Sequence, residues 1–455
     1  MTPSRAMPSR RSVLRAAASL PLALAAPAAF AARPAEKPLP IIFVHGNGDS
    51  AASWMTTIWR FESNLYPAEL LTAVDFRDPL ATRVWDRSQT GHSTVADETQ
   101  QLAERVAAVK KRTHAAKVIL IAQSRGGDIV RNYLKNAGGA AHTAIAILCG
   151  AVDHGVVVSD KILVDSEFNG ASPFLRDLNS TPGEVVPGVR FLTIRSDDND
   201  KYAQPDGRFI GHPGLATGVG YDAPALKGAT NLVIPHIDHR ETGYGPAAFA
   251  AMYRFITGRE PRFRDVRHET SVVLDGTVSA YFDGAPTNIG VPGATIEVYQ
   301  VSRDTGERMG NALLRKVTGA DGVWGPVKTL PKTYLEFVVA VPGFPVTHIY
   351  RSPFLRSSRY VDLRPLLLTK DDQAAGAVVY MSRPRGYFGL GRDRILLDDR
   401  TPPGISPGVP SVSMAKLDFP ASPSQTVVAI FDHERIAART WPIASDEVSV
   451  AEFTW

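Results

Sequence analysis

Ser124 lies in the run Val118-Ile-Leu-Ile-Ala-Gln-Ser-Arg-Gly-Gly127, and its surroundings suit a nucleophile. Four apolar residues, a small residue, a polar residue, Ser, one more residue and two glycines read as a buried strand entering a sharp turn. The stretch 128–135 that follows has helical periodicity. A strand–Ser–helix turn holds the hydroxyl in a strained, exposed position and needs small residues two before and two after it. Ala122 and Gly126 fill those places; the usual first residue is Gly, so Ala122 is a sterically mild variant. A serine hydroxyl is a weak nucleophile until a base takes its proton and a third group orients that base. On an open α/β sheet these partners belong at strand C-termini, in the order Ser, acid, His. Asp197, Asp198 and Asp200 crowd the loop after the strand expected at 190–195, and His236 and His239 follow the strand expected at 231–235. Residue logic alone does not choose among them.

The elements that must position these groups alternate over about 33–260. Strands are expected at 40–45, 118–122, 144–149, 190–195 and 231–235, with helices over 95–111, after Ser124 and over 246–256. Strands separated by helices imply a mostly parallel sheet covered on both faces. From about 262 the texture changes. Strand-like runs at 271–274, 294–301 and 333–340 are separated by turn clusters such as Asp304-Thr-Gly306 and Gly319-Ala-Asp-Gly322, and helical patterns nearly vanish. Residues 262–455 therefore read as an antiparallel sandwich or barrel, in one or two units divided near 366.

At 455 residues the chain predicts about two to three domains, with the 44% hydrophobic and 21% charged composition of a globular protein. The formal net charge of +4 comes from Arg5, Arg10, Arg11 and Arg15. Without residues 1–32, basic and acidic residues balance at 46 each. That neutrality gives no electrostatic case for a nucleic-acid partner. Ser9-Arg-Arg-Ser-Val-Leu-Arg15, the Ala/Leu-rich stretch 16–31 and Ala29-Phe30-Ala31 have the pattern of a twin-arginine signal peptide over 1–32, which implies a periplasmic or secreted protein. The one cysteine, Cys149, cannot form an internal disulfide and reads as a buried strand residue.

Two resemblances narrow the site. Thr193-Ile-Arg-Ser196 ahead of Asp200-Lys-Tyr-Ala-Gln-Pro205 resembles the acid loop of bacterial class 2 and related fungal lipases, in which Asp is followed by three residues and then Gln-Pro. Ser172-Pro-Phe-Leu-Arg-Asp-Leu-Asn179 resembles the segment those lipases carry just before that strand, and Ile237-Asp-His239 their histidine loop. The likeness places the acid on Asp200 and the base on His239, within an α/β-hydrolase fold over 33–261. Residues 246–261 and 294–308 are similar to an archaeal lipase type with a C-terminal β-barrel. Its base again falls on His239, but its acid falls where this chain has Cys149. Asp153 is left as the alternative at that strand end.

An oxyanion hole needs two backbone N–H groups. Arg125, directly after the nucleophile and at a helix start, supplies one. Phe43-Val-His-Gly-Asn-Gly48 carries the His-Gly signature of these hydrolases, which implies Asn47 as the other donor and His45 as structural. Asp238 reads as a solvated or loop-capping residue, and Gln123 and Arg125 put two polar side chains beside the nucleophile. Such a site needs no cofactor. No Cys/His spacing suggests zinc, and the acidic loop 197–200 lacks the calcium-loop pattern. The implied activity is that of a carboxylic-ester hydrolase of lipase or esterase type acting on lipid-like esters, with 155–188 as a candidate cap. The alternatives are a polyhydroxyalkanoate depolymerase, acting on a polyester substrate, and a non-catalytic binding protein on a hydrolase scaffold. Residues 262–455 are then a candidate contact for lipid aggregates or a structural cover. The sequence sets no oligomeric state.

Overall fold

Ile41, Phe43, Ile119, Ile121, Ile147 and Ile194 point to one side of a sheet, and Ile42, Val44, Leu120, Ala122, Ala146 and Leu148 to the other. This period of two, with both sets apolar, is what a sheet buried on both faces requires. The computed structural model describes residues 37–421 and 424–455; the export segment expected at 1–32 lies outside them. The strands are β1 (Ile41–Val44), β2 (Leu71–Ala73), β3 (Val118–Gln123), β4 (Thr143–Cys149), β5 (Arg190–Arg195) and β6 (Thr230–Val233). Their order is β2-β1-β3-β4-β5-β6 and every pairing is parallel. The helices are α1 (Met55–Ser63), α2 (Val95–Thr113), α3 (Arg125–Asn136), α4 (Pro173–Leu178), α5 (Glu241–Tyr244) and α6 (Pro246–Thr257).

Leu102, Val106 and Val109 of α2, Ile129, Val130 and Tyr133 of α3, and Phe174 of α4 cover one face. Ile58 and Phe61 of α1, Tyr244 of α5, and Phe249 and Met252 of α6 cover the other. Thr94 and Asp97 start α2 with a reciprocal capping box, which satisfies two N–H groups that the first turn leaves free. This is the α/β-hydrolase arrangement expected, followed by a region that is mostly β.

The β region departs from a purely antiparallel sandwich. Its main sheet has seven strands, in the order Leu314–Val317, Thr295–Val301, Tyr334–Ala340, Val346–Arg351, Glu447–Glu452, Ala377–Ser382 and Met414–Phe419. Glu447–Glu452 runs parallel to both of its neighbours, while the other pairs are antiparallel. This sheet takes strands from both sides of residue 366, so no sheet boundary falls there. Two cores flank it. One holds Ile296, Trp324 and Phe337, the other Met381, Phe388 and Phe431. Met55 and Trp59 of α1 belong to the first of these cores. Trp59 also donates from Nε1 to Ser357 O at 2.9 Å, so the two regions share buried surface.

Candidate active site

Ser124 ends β3 with φ +52° and ψ −128°, a strained combination for a residue with a side chain. The turn is held by Ser124 N donating to Cys149 O at 2.9 Å and Gly127 N donating to Ser124 O at 2.8 Å. A Cβ on Gly126 would stand 2.5 Å from His45 O, so the strand-to-helix crossing closes only around glycine. Ala122, the variant position, is fully buried in the core.

The loop after β5 carries Asp200 and the loop after β6 carries His239, both 2% exposed. His239 Nδ1 faces the two carboxylate oxygens of Asp200 at 2.9 and 3.0 Å. His239 Nε2 lies 2.9 Å from Ser124 Oγ. With Nδ1–H donating to the Asp200 carboxylate, Nε2 is free to accept from the serine hydroxyl. Tyr202 N also donates to Asp200 at 2.9 Å, and the Tyr202 ring meets the imidazole edge-on at 4.7 Å. The backbone carbonyl of His239 accepts from Thr242 Oγ1 at 2.6 Å and Gln123 Nε2 at 3.3 Å.

The competing residues are occupied elsewhere. Asp197 accepts from Asn199 Nδ2 at 2.8 Å and His236 N at 2.9 Å, which ties the acid loop to the histidine loop. Asp198 and His236 are exposed. Asp153 is buried and accepts from Arg131 Nη1 at 3.2 Å.

Arg125 opens α3, where an N–H has no intrahelical acceptor. Asn47 lines the same cleft as Ser124. Gly48 N and Asp49 N bond to Pro79 O and Gly46 O, and among the described residues no backbone acceptor takes the Asn47 N–H. Both groups are therefore free to meet an oxyanion. His45 is buried, with Nδ1 on Gly46 O at 2.9 Å and Nε2 accepting Phe76 N at 3.1 Å. Burial lowers its pKa to about 4, which suits a neutral structural imidazole.

One sequence expectation needs correction. The Arg125 side chain does not enter the cleft. It is 1% exposed and is bonded to Glu98 of α2 and Glu167 of the 155–188 segment. Gln123 is buried and borders the cleft beside Ser124. Of the two readings of Asp238 the structure favours the loop cap: its Oδ1 accepts from Arg240 N and Glu241 N, and the carboxylate is fully buried against Arg383 and Arg392 rather than solvated. Adjacency to Ser124 in sequence does not fix where a long side chain goes. The partners that bury these groups come from distant segments.

The cleft encloses about 210 Å³. One wall is apolar: Val152, Val156, Leu163, Phe168 and Ile210. Val156 N donates to Phe168 O at 2.8 Å, which joins two parts of the 155–188 segment that line the cleft. The lining also has a polar group, with Asp49 and Arg240 paired at 2.7 Å and the Arg240 guanidinium over the Tyr387 ring. Tyr202 could have been suspected from its place in the acid loop. Tyr387 lies in the β region, and no local sequence signal points to it.

Residues 38–204 match the family model of class 2 lipases, and residues 270–366 match that of the lipase C-terminal domain. Among solved structures, the chain is similar to the mature form of the Bacillus licheniformis lipase BlEst2. Identity is 18%, over 50% of this chain and 94% of that one, with a TM-score of 0.38. The propeptide form of that lipase aligns at 13% identity over 90% of this chain and 93% of that one, with a TM-score of 0.37. Phospholipase PlaB from Legionella pneumophila aligns at 13% identity over 73% of this chain and 96% of that one, with a TM-score of 0.34. No curated protein sequence matches the chain.

Proposed function

For this carboxylic-ester hydrolase of lipase type, we propose a mechanism in which Ser124 is the nucleophile, His239 the base and Asp200 the group that orients it. Ser124 Oγ attacks the ester carbonyl carbon while His239 Nε2 takes its proton. The oxyanion receives the N–H groups of Asn47 and Arg125. Collapse breaks the bond to the alkoxy oxygen, and His239 returns the proton to the leaving alcohol. Water then repeats the sequence on the acyl-enzyme and frees the acid. Asp200 stabilises the imidazolium and fixes its tautomer. The observation that carries this reading is the unbroken chain Ser124 Oγ, His239, Asp200, with each link at 2.9–3.0 Å.

The acyl group lies against Val152, Val156, Leu163 and Phe168, and the alcohol faces Asp49, Arg240 and Tyr387. A cavity of about 210 Å³ is below the roughly 300–1,000 Å³ of sites for drug-sized ligands. That size favours short to medium acyl chains on a lipid-like ester. The protein acts after twin-arginine export, a reading supported by Arg10-Arg11 and the apolar stretch behind them.

Incubation with a p-nitrophenyl alkylphosphonate tests the mechanism. Release of nitrophenolate and a mass increase on the Ser124 peptide are expected; labelling elsewhere, or none, overturns it. Replacing Arg10 and Arg11 by Lys should leave the precursor in the cytoplasm, and unchanged export would refute the localisation.

A further inference from the structure

Asp238 stands directly before His239, and its carboxylate is fully buried. Its Oδ1 accepts from Arg240 N at 2.8 Å and Glu241 N at 3.1 Å. Glu241 Oε2 accepts in return from Asp238 N at 2.7 Å. This reciprocal Asp-x-x-Glu arrangement is a capping box, and it spans the backbone of His239. The box is gripped from the other region of the chain. Arg383 Nη1 and Arg392 Nη2 donate to Asp238 Oδ2 at 2.9 and 3.3 Å, and Tyr387 N donates to the same oxygen at 2.7 Å. The same two guanidiniums reach Glu241, Arg392 at 3.0 Å. Arg383 is itself held by Tyr387 O at 2.6 Å. Arg240, on the other side of His239, donates to Pro384 O.

A buried network of this kind contributes little net stability. Apolar residues of similar volume would often do as well, because desolvation offsets the attraction. What paired charges supply is geometry, since four carboxylate oxygens and two planar forks fit in few ways. Displacing a reacting group by about 1 Å can cost about 10²-fold in rate.

We propose that Arg383 and Arg392 are positioning residues for the reaction, holding the His239 loop through Asp238 and Glu241. The β region thereby completes the catalytic site. This rests on the reading of His239 as the base. Asp238, Glu241 and both arginines lie outside the two matched family segments, 38–204 and 270–366.

The test uses the full chain carrying Arg392→Gln, Arg383→Gln or Arg383→Lys. The readouts are kcat and KM on a soluble short p-nitrophenyl ester, the phosphonylation rate of Ser124, and the melting curve. Arg392→Gln and Arg383→Gln should lower kcat and phosphonylation together by about 10- to 100-fold, with KM within about twofold. Arg383→Lys should restore part of the loss. If Arg383→Gln does not fold, Arg392→Gln still decides, because Arg392 sits at the rim with 21% of its side chain exposed. A kcat within twofold of the parent in a normally melting variant overturns the proposal, as does a change confined to KM. Failure of the underlying mechanism is distinguishable: the unsubstituted protein would then not be phosphonylated at Ser124.

Discussion

The guanidinium of Arg125 grips the carboxylate of Glu167, so the residue after Ser124 is tied to a segment that lines the cleft. Glu98 of α2 shares the same arginine. Two buried carboxylates on one guanidinium leave an uncompensated negative charge. Burial first, together with Glu167, pushes the Glu98 pKa up to about 8, against the pull of Arg125.

Because Glu98 is protonated in the folded state at a pH where the unfolded chain has lost that proton, stability must fall as pH rises. The loss begins near the ordinary carboxylate pKa and completes as pH passes about 8. The melting temperature is expected to drop by a few degrees between about pH 6 and 9. Glu98→Gln, which carries the proton's hydrogen-bonding role permanently, should flatten that slope. An equal slope in the variant would refute the assignment.

His45 works in the opposite direction. Its folded pKa of about 4 lies below the unfolded value of 6.5, and protonating Nε2 would set it against the Phe76 N–H it accepts. Stability is therefore complete above about pH 6.5 and is lost as pH falls through 4, by roughly 3 kcal/mol. Acid unfolding of His45→Gln, whose amide can accept the same N–H without titrating, should show a shallower pH dependence.

Ser124→Ala should abolish hydrolysis of p-nitrophenyl esters with the melting curve unchanged. Asp200→Asn should lower kcat by about 10⁴-fold, the loss seen when a triad acid becomes an amide. Asp153→Asn should instead act on stability, since Asp153 faces Arg131. A turnover loss in Asp153→Asn as large as that expected for Asp200→Asn would move the acid to position 153.

Gly126→Ala is expected to cost both stability and rate. Its Cβ would press on His45 O at 2.5 Å and Val44 O at 3.0 Å, forcing β1 and the Asn47 loop away from the serine turn. Calorimetry and kcat on a short ester should fall together; a normal rate would show that the loop absorbs the methyl group.

Removing 262–455 should give an insoluble chain. Met55 and Trp59 would lose their apolar surroundings, and Ala73 N would lose the Tyr360 hydroxyl at 3.0 Å. A soluble, folded 33–261 fragment would count against this dependence. A role in contacting lipid aggregates is better probed by surface substitutions than by deletion.

The strands β1, β3, β4 and β5 are legible because each is a mostly apolar run, buried on both faces, that ends at a turn signal. β2 has only three residues, and α1, MTTIWRFES, mixes polar and apolar residues because it is buried on two sides. Neither stands out from its local pattern. The strand-end loops are legible as candidates for an acid and a base; residue logic leaves three aspartates open, and the resemblance to the Asp-x-x-x-Gln-Pro loop places the acid on Asp200. Asp197 spends its carboxylate on Asn199 and His236, contacts that no spacing reveals. Arg383, Tyr387 and Arg392 were invisible for a related reason. Arginine is ordinary at a surface, and their partners lie some 142–154 residues away in sequence.

The parallel strand Glu447–Glu452 sits between Val346–Arg351 and Ala377–Ser382, with Arg351 and Glu452 paired across 101 residues of chain. Assembly therefore has an order in time. On a nascent polypeptide, two finished strands must wait with bare edges until their shared neighbour is translated, and such edges invite pairing with other molecules. A premature stop between residues 383 and 446 would leave that slot permanently vacant. Nonsense alleles of this kind should accumulate as aggregates rather than as shortened soluble enzyme.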